Sequence, residues 1–103
     1  MRSIQHGRLY STAASELICE CESATTDTQD FHWWQAGLYR TRRGRFFLAG
    51  AGGPMTRWAH QGNNGTVSGS KGIIVLTSDE ARQYAEQFAD VEVIARYWSV
   101  EEA

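Results

Sequence analysis

The spacing of apolar positions changes several times along this 103-residue chain, and each change marks an expected element. Residues 8–10 read as a short strand, after which Ser11 or Thr12 offers an N-cap hydroxyl. In the helix this opens, Ala14, Leu17, Ile18 and Cys21 recur at i, i+3, i+4 and i+7, a single apolar stripe. That stripe puts Cys21 in a buried row and leaves Cys19 about 200° round the helix from it.

The polar stretch 23–30, SATTDTQD, closes this helix and delivers the chain to Phe31-His32-Trp33-Trp34. A hairpin follows, with strands at 38–41 and 45–49 about the turn Arg42-Arg43-Gly44. Gly44 suits the positive φ of a G1 bulge, which sets Thr41 opposite Arg45 and Tyr39 opposite Phe47. One hairpin face then carries Leu38, Arg40, Phe46 and Leu48, and the other Tyr39, Thr41, Arg45 and Phe47. Both faces are substantially apolar, so neither is expected to stand wholly in water.

GAGGPM is expected to end the second strand, and Pro54 to open a short helix holding Met55, Trp58 and Ala59. The glycine- and asparagine-rich stretch 60–72 reads as a long loop with room for a small turn at Asn63 to Gly65, and 73–76 as a buried strand. Thr77-Ser78-Asp79-Glu80 has the spacing of a capping box, and Ala81, Tyr84, Ala85 and Phe88 form the stripe of the helix it opens. Val91, Ile94, Ala95 and Trp98 repeat that spacing after a break near Asp90. The expected architecture is α+β: one domain over 1–103, with a small antiparallel sheet built on the central hairpin (about 38–49) and three to four helices packed against it.

Composition changes this picture in one respect. A chain of this size can bury about 65% of its unfolded surface, and 42% hydrophobic residues supply a core without staples. The net charge of −2 argues against a generic polyanion binder, so any nucleic-acid surface has to be a local patch. Charge is uneven: up to His60 there are seven basic against five acidic residues, and beyond it three against seven. A polarised surface of this kind suits steering toward a partner. The N-terminal residues hold no apolar run of the kind a secretory signal needs, and nothing approaches the roughly 18 apolar residues of a membrane span. The expected location is the cytoplasm, with no membrane partner and with Cys19 and Cys21 as reduced thiols.

Five features are candidates for chemistry. Arg40, Arg42, Arg43 and Arg45 sit at or beside the hairpin tip, where arginines with nearby aromatics hold phosphates or keep a turn solvated. Gly50-Ala51-Gly52-Gly53 follows a strand but lacks the third glycine of a dinucleotide fingerprint, and Lys71 lies far downstream without a phosphate-loop pattern. The scattered His6, His32 and His60, with cysteines pointing apart on a helix, give no metal set, so neither metal nor cofactor is expected. No catalytic motif is present; His60, beside Trp58, is the best-placed acid or base, and a pocket near Trp34, Trp58 and His60 is the place for a small ligand. Four tryptophans complete the set: Trp33 and Trp34 must point to opposite faces if they lie on a strand. Tryptophan, arginine and tyrosine together are the composition of interface hot spots, which makes Trp33, Trp34, Tyr39, Phe47 and the arginines the expected binding residues.

The order RLYSTAASEL, DFHWW, LYRTRRGRFFLAGAGGPMTRWA, IIVLTSDEARQYAEQF and VEEA resembles a group of small proteins carried by phages, plasmids, conjugative elements and integron cassettes. The resemblance spans nearly the whole chain, and its most specific part is LYRT, a basic turn, then GRFFLAGAGGPMT. It implies an accessory role on mobile DNA, where small regulators and inhibitors of host defence, anti-CRISPR proteins among them, are common; it implies no catalytic residue. The leading expectation is a non-enzymatic binding protein acting through a protein partner or homo-oligomer interface. The alternatives are a nucleic-acid-binding regulator using the arginine-rich hairpin, and a small-molecule binder or enzyme at the tryptophan pocket.

Overall fold

The computed structural model describes residues 1–103. The chain opens with β1 (Arg2–Gln5) and β2 (Arg8–Ser11), continues through β3 (Glu16–Glu22), β4 (Trp34–Arg40) and β5 (Phe46–Gly52), and forms two short strands, β6 (His60–Gln61) and β7 (Val67–Ser68). It closes with β8 (Ser70–Leu76), α1 (Ser78–Phe88) and α2 (Val91–Tyr97). The main sheet is antiparallel in the order β3-β4-β5-β8, while β1 pairs only with β2 and β6 only with β7. The class is therefore α+β, with two helices instead of three to four.

The central hairpin has the expected register, and its turn chemistry is the cause. Gly44 takes φ 81°, its N–H donates to the Thr41 carbonyl at 3.0 Å, and the Thr41 N–H donates to the Arg45 carbonyl at 2.8 Å. This sets Tyr39 opposite Phe47 and Leu38 opposite Leu48. Both strands run further from the turn than their apolar residues suggested, β4 back to Trp34 and β5 forward to Gly52. The strand ends within the glycine stretch as expected, at Gly52, but Gly50 and Ala51 are still paired, with Gly50 facing Ala36 on one side and Gly72 on the other.

Each apolar face of this hairpin is covered from within the chain. Leu38, Phe46 and Leu48 join Ile18, Cys21, Ala36, Trp58 and Leu76 beneath Ala81 and Ala85 of α1. Val93, Ile94, Tyr97 and Trp98 pack against the same cluster, and Trp98 stacks on Phe46 with ring centroids 5.1 Å apart. The opposite face carries Phe47, whose ring meets Tyr10 of the N-terminal hairpin edge-on at 5.7 Å and stacks on Tyr39 at 5.2 Å. With Ile73 these close a second, smaller cluster.

Three expected elements are replaced. The helix expected over Ala14, Leu17, Ile18 and Cys21 gives way to a turn at Ala14 and strand β3, whose pairing with β4 slips between Leu17 and Cys19. That bulge adds a residue, so Ile18, Cys19 and Cys21 all meet the helix-side cluster. The break in period two makes the apolar spacing imitate a helix. After Pro54 the chain makes turns instead of a helix: the Thr56 hydroxyl donates to the Gly53 carbonyl at 2.7 Å and accepts from the Trp58 N–H at 3.2 Å, competing with helical bonds. The loop 60–72 contains the β6–β7 hairpin, turning at Gly65 with φ 77°, and the first residues of β8.

The C-terminal helices follow the sequence more closely. Thr77 caps α1 as expected: its hydroxyl accepts from the Glu80 N–H at 3.1 Å, and Glu80 accepts from the Thr77 N–H at 3.0 Å. Thr77→Ala should cost about 1 kcal/mol, read as a lower thermal midpoint. The Thr77 N–H holds the Glu80 carboxyl below its ordinary range. This contribution is therefore present at neutral pH and lost as acidification protonates Glu80. In α2 the inward residues are Val93, Ile94 and Tyr97, whereas Val91 and Ala95 of the expected stripe are exposed.

Candidate functional site

Two hairpin tips meet at one end of the molecule. Consecutive positive φ values at His6 (53°) and Gly7 (74°) fold β1 onto β2 as a type I′ turn does, and the turn delivers Arg8 beside the Arg42-Arg43-Gly44 tip. Between them lies a cleft of about 560 Å³ bordered by Arg8, Arg42, Arg43 and Arg45, with Leu9, Tyr10, Ser11, Ser15 and Thr41 among its other lining residues. The ion pairs of the chain are His32–Asp30, Arg57–Glu80 and Arg82–Glu86, so all four cleft guanidiniums are without an internal carboxylate. Four like charges held together raise the local potential and are relieved by an anionic partner.

Arg40 is not among them. It sits on the helix face of the sheet, with its guanidinium 6.0 Å from the centre of the Tyr97 ring. Arg8 takes its place in the cluster, a residue not legible as a site in the sequence because the docking of the N-terminal hairpin, through Tyr10 on Phe47 and Gln5 on Ile73, is what brings β2 to the hairpin tip. Tyr39 and Phe47 belong to the packed face beneath the N-terminal hairpin, so they position the cleft wall and do not line it. The aromatic ring that does border the cleft, Tyr10, is 3% exposed. Beside the cleft, the outer face of the N-terminal hairpin presents the cross-strand pair Ile4 and Leu9, 74% and 60% exposed.

A second concavity, about 530 Å³, is lined by His32, Trp34, Met55, Thr56, Arg57, Trp58 and Tyr84. Trp34 and Trp58 stack at 5.9 Å, as a pocket near the two requires, and Tyr84 and Phe88 meet Trp34 edge-on. His60 lies outside it on β6, and His32 supplies the imidazole instead. The polar groups here are already engaged: Arg57 donates to the Tyr84 hydroxyl and pairs with Glu80, each at 3.5 Å, and the Trp58 indole N–H donates to the Gly72 carbonyl at 3.1 Å. Trp33 points away from this pocket, into a shallow groove on the opposite face floored by Gly37, Ala49 and Ala51. The chain has no group of three or more histidine, cysteine, aspartate or glutamate side chains placed to hold a metal ion.

No helix is long and apolar enough to cross a membrane. Comparison with protein-family models, with curated proteins and with solved structures finds no match to the chain.

Proposed function

We propose that this is a non-enzymatic binding protein that holds an acidic stretch of a protein partner in the cleft between its two hairpin tips. The observation that carries this reading is the convergence of Arg8, Arg42, Arg43 and Arg45, none paired with a carboxylate of the chain, in a protein whose net charge is −2. Guanidiniums present planar forks that match carboxylates bidentately, and their placement at exposed turns keeps them available to an incoming chain. The resemblance to accessory proteins of mobile elements supplies the setting, in which the partner is a host protein such as a component of a defence system.

An acidic protein segment fits better than a nucleic acid because the cleft offers charge without stacking platforms. Tyr10 is buried edge-on against Phe47, and Tyr39 is stacked on the same ring. Non-specific single-strand binders combine a basic groove with accessible aromatics. Here the exposed aliphatic pair Ile4 and Leu9 lies beside the groove instead, giving the mixture of charge and apolar surface typical of a protein interface.

A fluorescence-anisotropy titration tests this. The probes are a labelled peptide of glutamates interspersed with leucines and a single-stranded oligonucleotide of equal charge, both at about 50 mM salt. The wild-type chain should bind the peptide more tightly than the oligonucleotide. Replacing Arg42 and Arg43 together with alanine should weaken the peptide by roughly tenfold, about 1.4 kcal/mol. Tighter binding of the oligonucleotide would move the function to nucleic acid, and peptide binding indifferent to both arginines would remove the cleft from it.

A further inference from the structure

The two cysteines of the chain lie on β3, a sheet edge, in the run Cys19-Glu20-Cys21. Residues two apart on a strand share a face, and here both thiols turn toward the helix-side cluster with their Sγ atoms 3.9 Å apart. The pair is unequal in access. Cys21 is 1% exposed within the core, whereas Cys19 is half-buried beside it. It is unequal in protonation as well: the hydrogen bond with Cys21 holds the Cys19 thiol below its ordinary range, and the same bond, with burial, pushes Cys21 up. Of the two sulfurs, the outer, reachable one is thus the more readily ionised.

From this geometry we propose that Cys19 and Cys21 form a thiol–disulfide exchange couple whose substrates are low-molecular-weight disulfides of the glutathione class. The Cys19 thiolate attacks one sulfur of the small disulfide, forming a mixed disulfide and expelling one small thiolate. The Cys21 sulfur then attacks Cys19, closing the Cys19–Cys21 bond, and its proton leaves with the second small thiol. The protein loses two electrons and the small disulfide gains them, becoming two thiols. The bridge so formed is a labile one. On an extended strand, Cα atoms two residues apart are about 6.6–6.8 Å from each other. This is the upper edge of the roughly 4.4–6.8 Å that a disulfide spans without strain. Strained bridges are the more readily reduced, so the couple runs in both directions. This assignment is independent of the arginine cleft.

The test is intact-mass analysis of the full chain after incubation with oxidised glutathione, quenched with acid. Wild type should lose two hydrogens and carry no lasting adduct, and reduced glutathione should restore it. Cys21→Ser should accumulate one glutathione per chain, at least tenfold faster than Cys19→Ser does; Cys21→Ala, which keeps the buried site apolar, should behave as Cys21→Ser. A wild-type chain that stays a dithiol in excess oxidised glutathione, or one that retains a glutathione adduct, would overturn the proposal, and neither result depends on a variant folding.

Discussion

Phe47→Ala should lower stability by about 3–5 kcal/mol, the range for emptying a buried phenylalanine site. Phe47 has no exposed surface and is clasped between the Tyr10 and Tyr39 rings, so its removal leaves a cavity lined by two large side chains that cannot both collapse into it. The consequence reaches the candidate site. The N-terminal hairpin is held to the sheet by Tyr10, which packs on Phe47, and by the Gln5 amide, which donates to the Ile73 carbonyl at 2.9 Å. Losing the aromatic contact frees the hairpin that carries Arg8. Denaturant unfolding should show the lower midpoint, and limited proteolysis should cut the first 15 residues of the variant before any other part. A loss under about 1 kcal/mol with an intact N-terminus would mean that the hairpin is anchored elsewhere.

Gly50→Ala is expected to be comparably damaging through the opposite fault, excess volume. A Cβ at this position would stand 2.1 Å from the Gln35 carbonyl oxygen and 2.5 Å from both Cα and Cβ of Ala36. These are mostly backbone atoms of the adjoining strand, held by the β4–β5 ladder, so no side-chain rotation relieves the contact. A loss of about 3 kcal/mol is expected, at the upper end of overpacking costs. Equilibrium unfolding of the purified variant measures it. Unchanged stability would show that β4 and β5 can separate locally without penalty.

The sequence disclosed those features whose causes are local. Gly44 between Arg43 and Arg45 sets the hairpin register, and Thr77 with Glu80 sets the start of α1; in each, a turn or cap residue acts within four positions of itself. What escaped it depends on residues far apart. The bulge in β3 put Ile18, Cys19 and Cys21 on one side, so an edge strand carried the spacing of an amphipathic helix, and the thiols were expected to point apart. Strand β1 contributes only Ile4 to an apolar pattern, and that side chain faces outward. Its existence rests on pairing with β2, not on its own composition.

The same distinction applies to the site. Arg42, Arg43 and Arg45 were legible as a charged turn, and the pocket around Trp34 and Trp58 as an aromatic gathering. Arg8 was not, because its proximity to the turn follows from the edge-on packing of Tyr10 against Phe47. The two apolar faces of the hairpin also lose their apparent need for a partner. One is taken by α1 and α2 and the other, in its Phe47 half, by the N-terminal hairpin. The surface left for binding is the rim of that second contact: the cleft arginines and the Ile4–Leu9 pair beside them.

The most direct test of that assignment is an amide chemical-shift titration of the labelled wild-type chain with the glutamate–leucine peptide. Saturable shifts are expected at residues 7–11, 14–15 and 41–45, the two walls of the cleft. Shifts centred on His32, Trp34, Trp58 and Tyr84, or none at any accessible concentration, would contradict it.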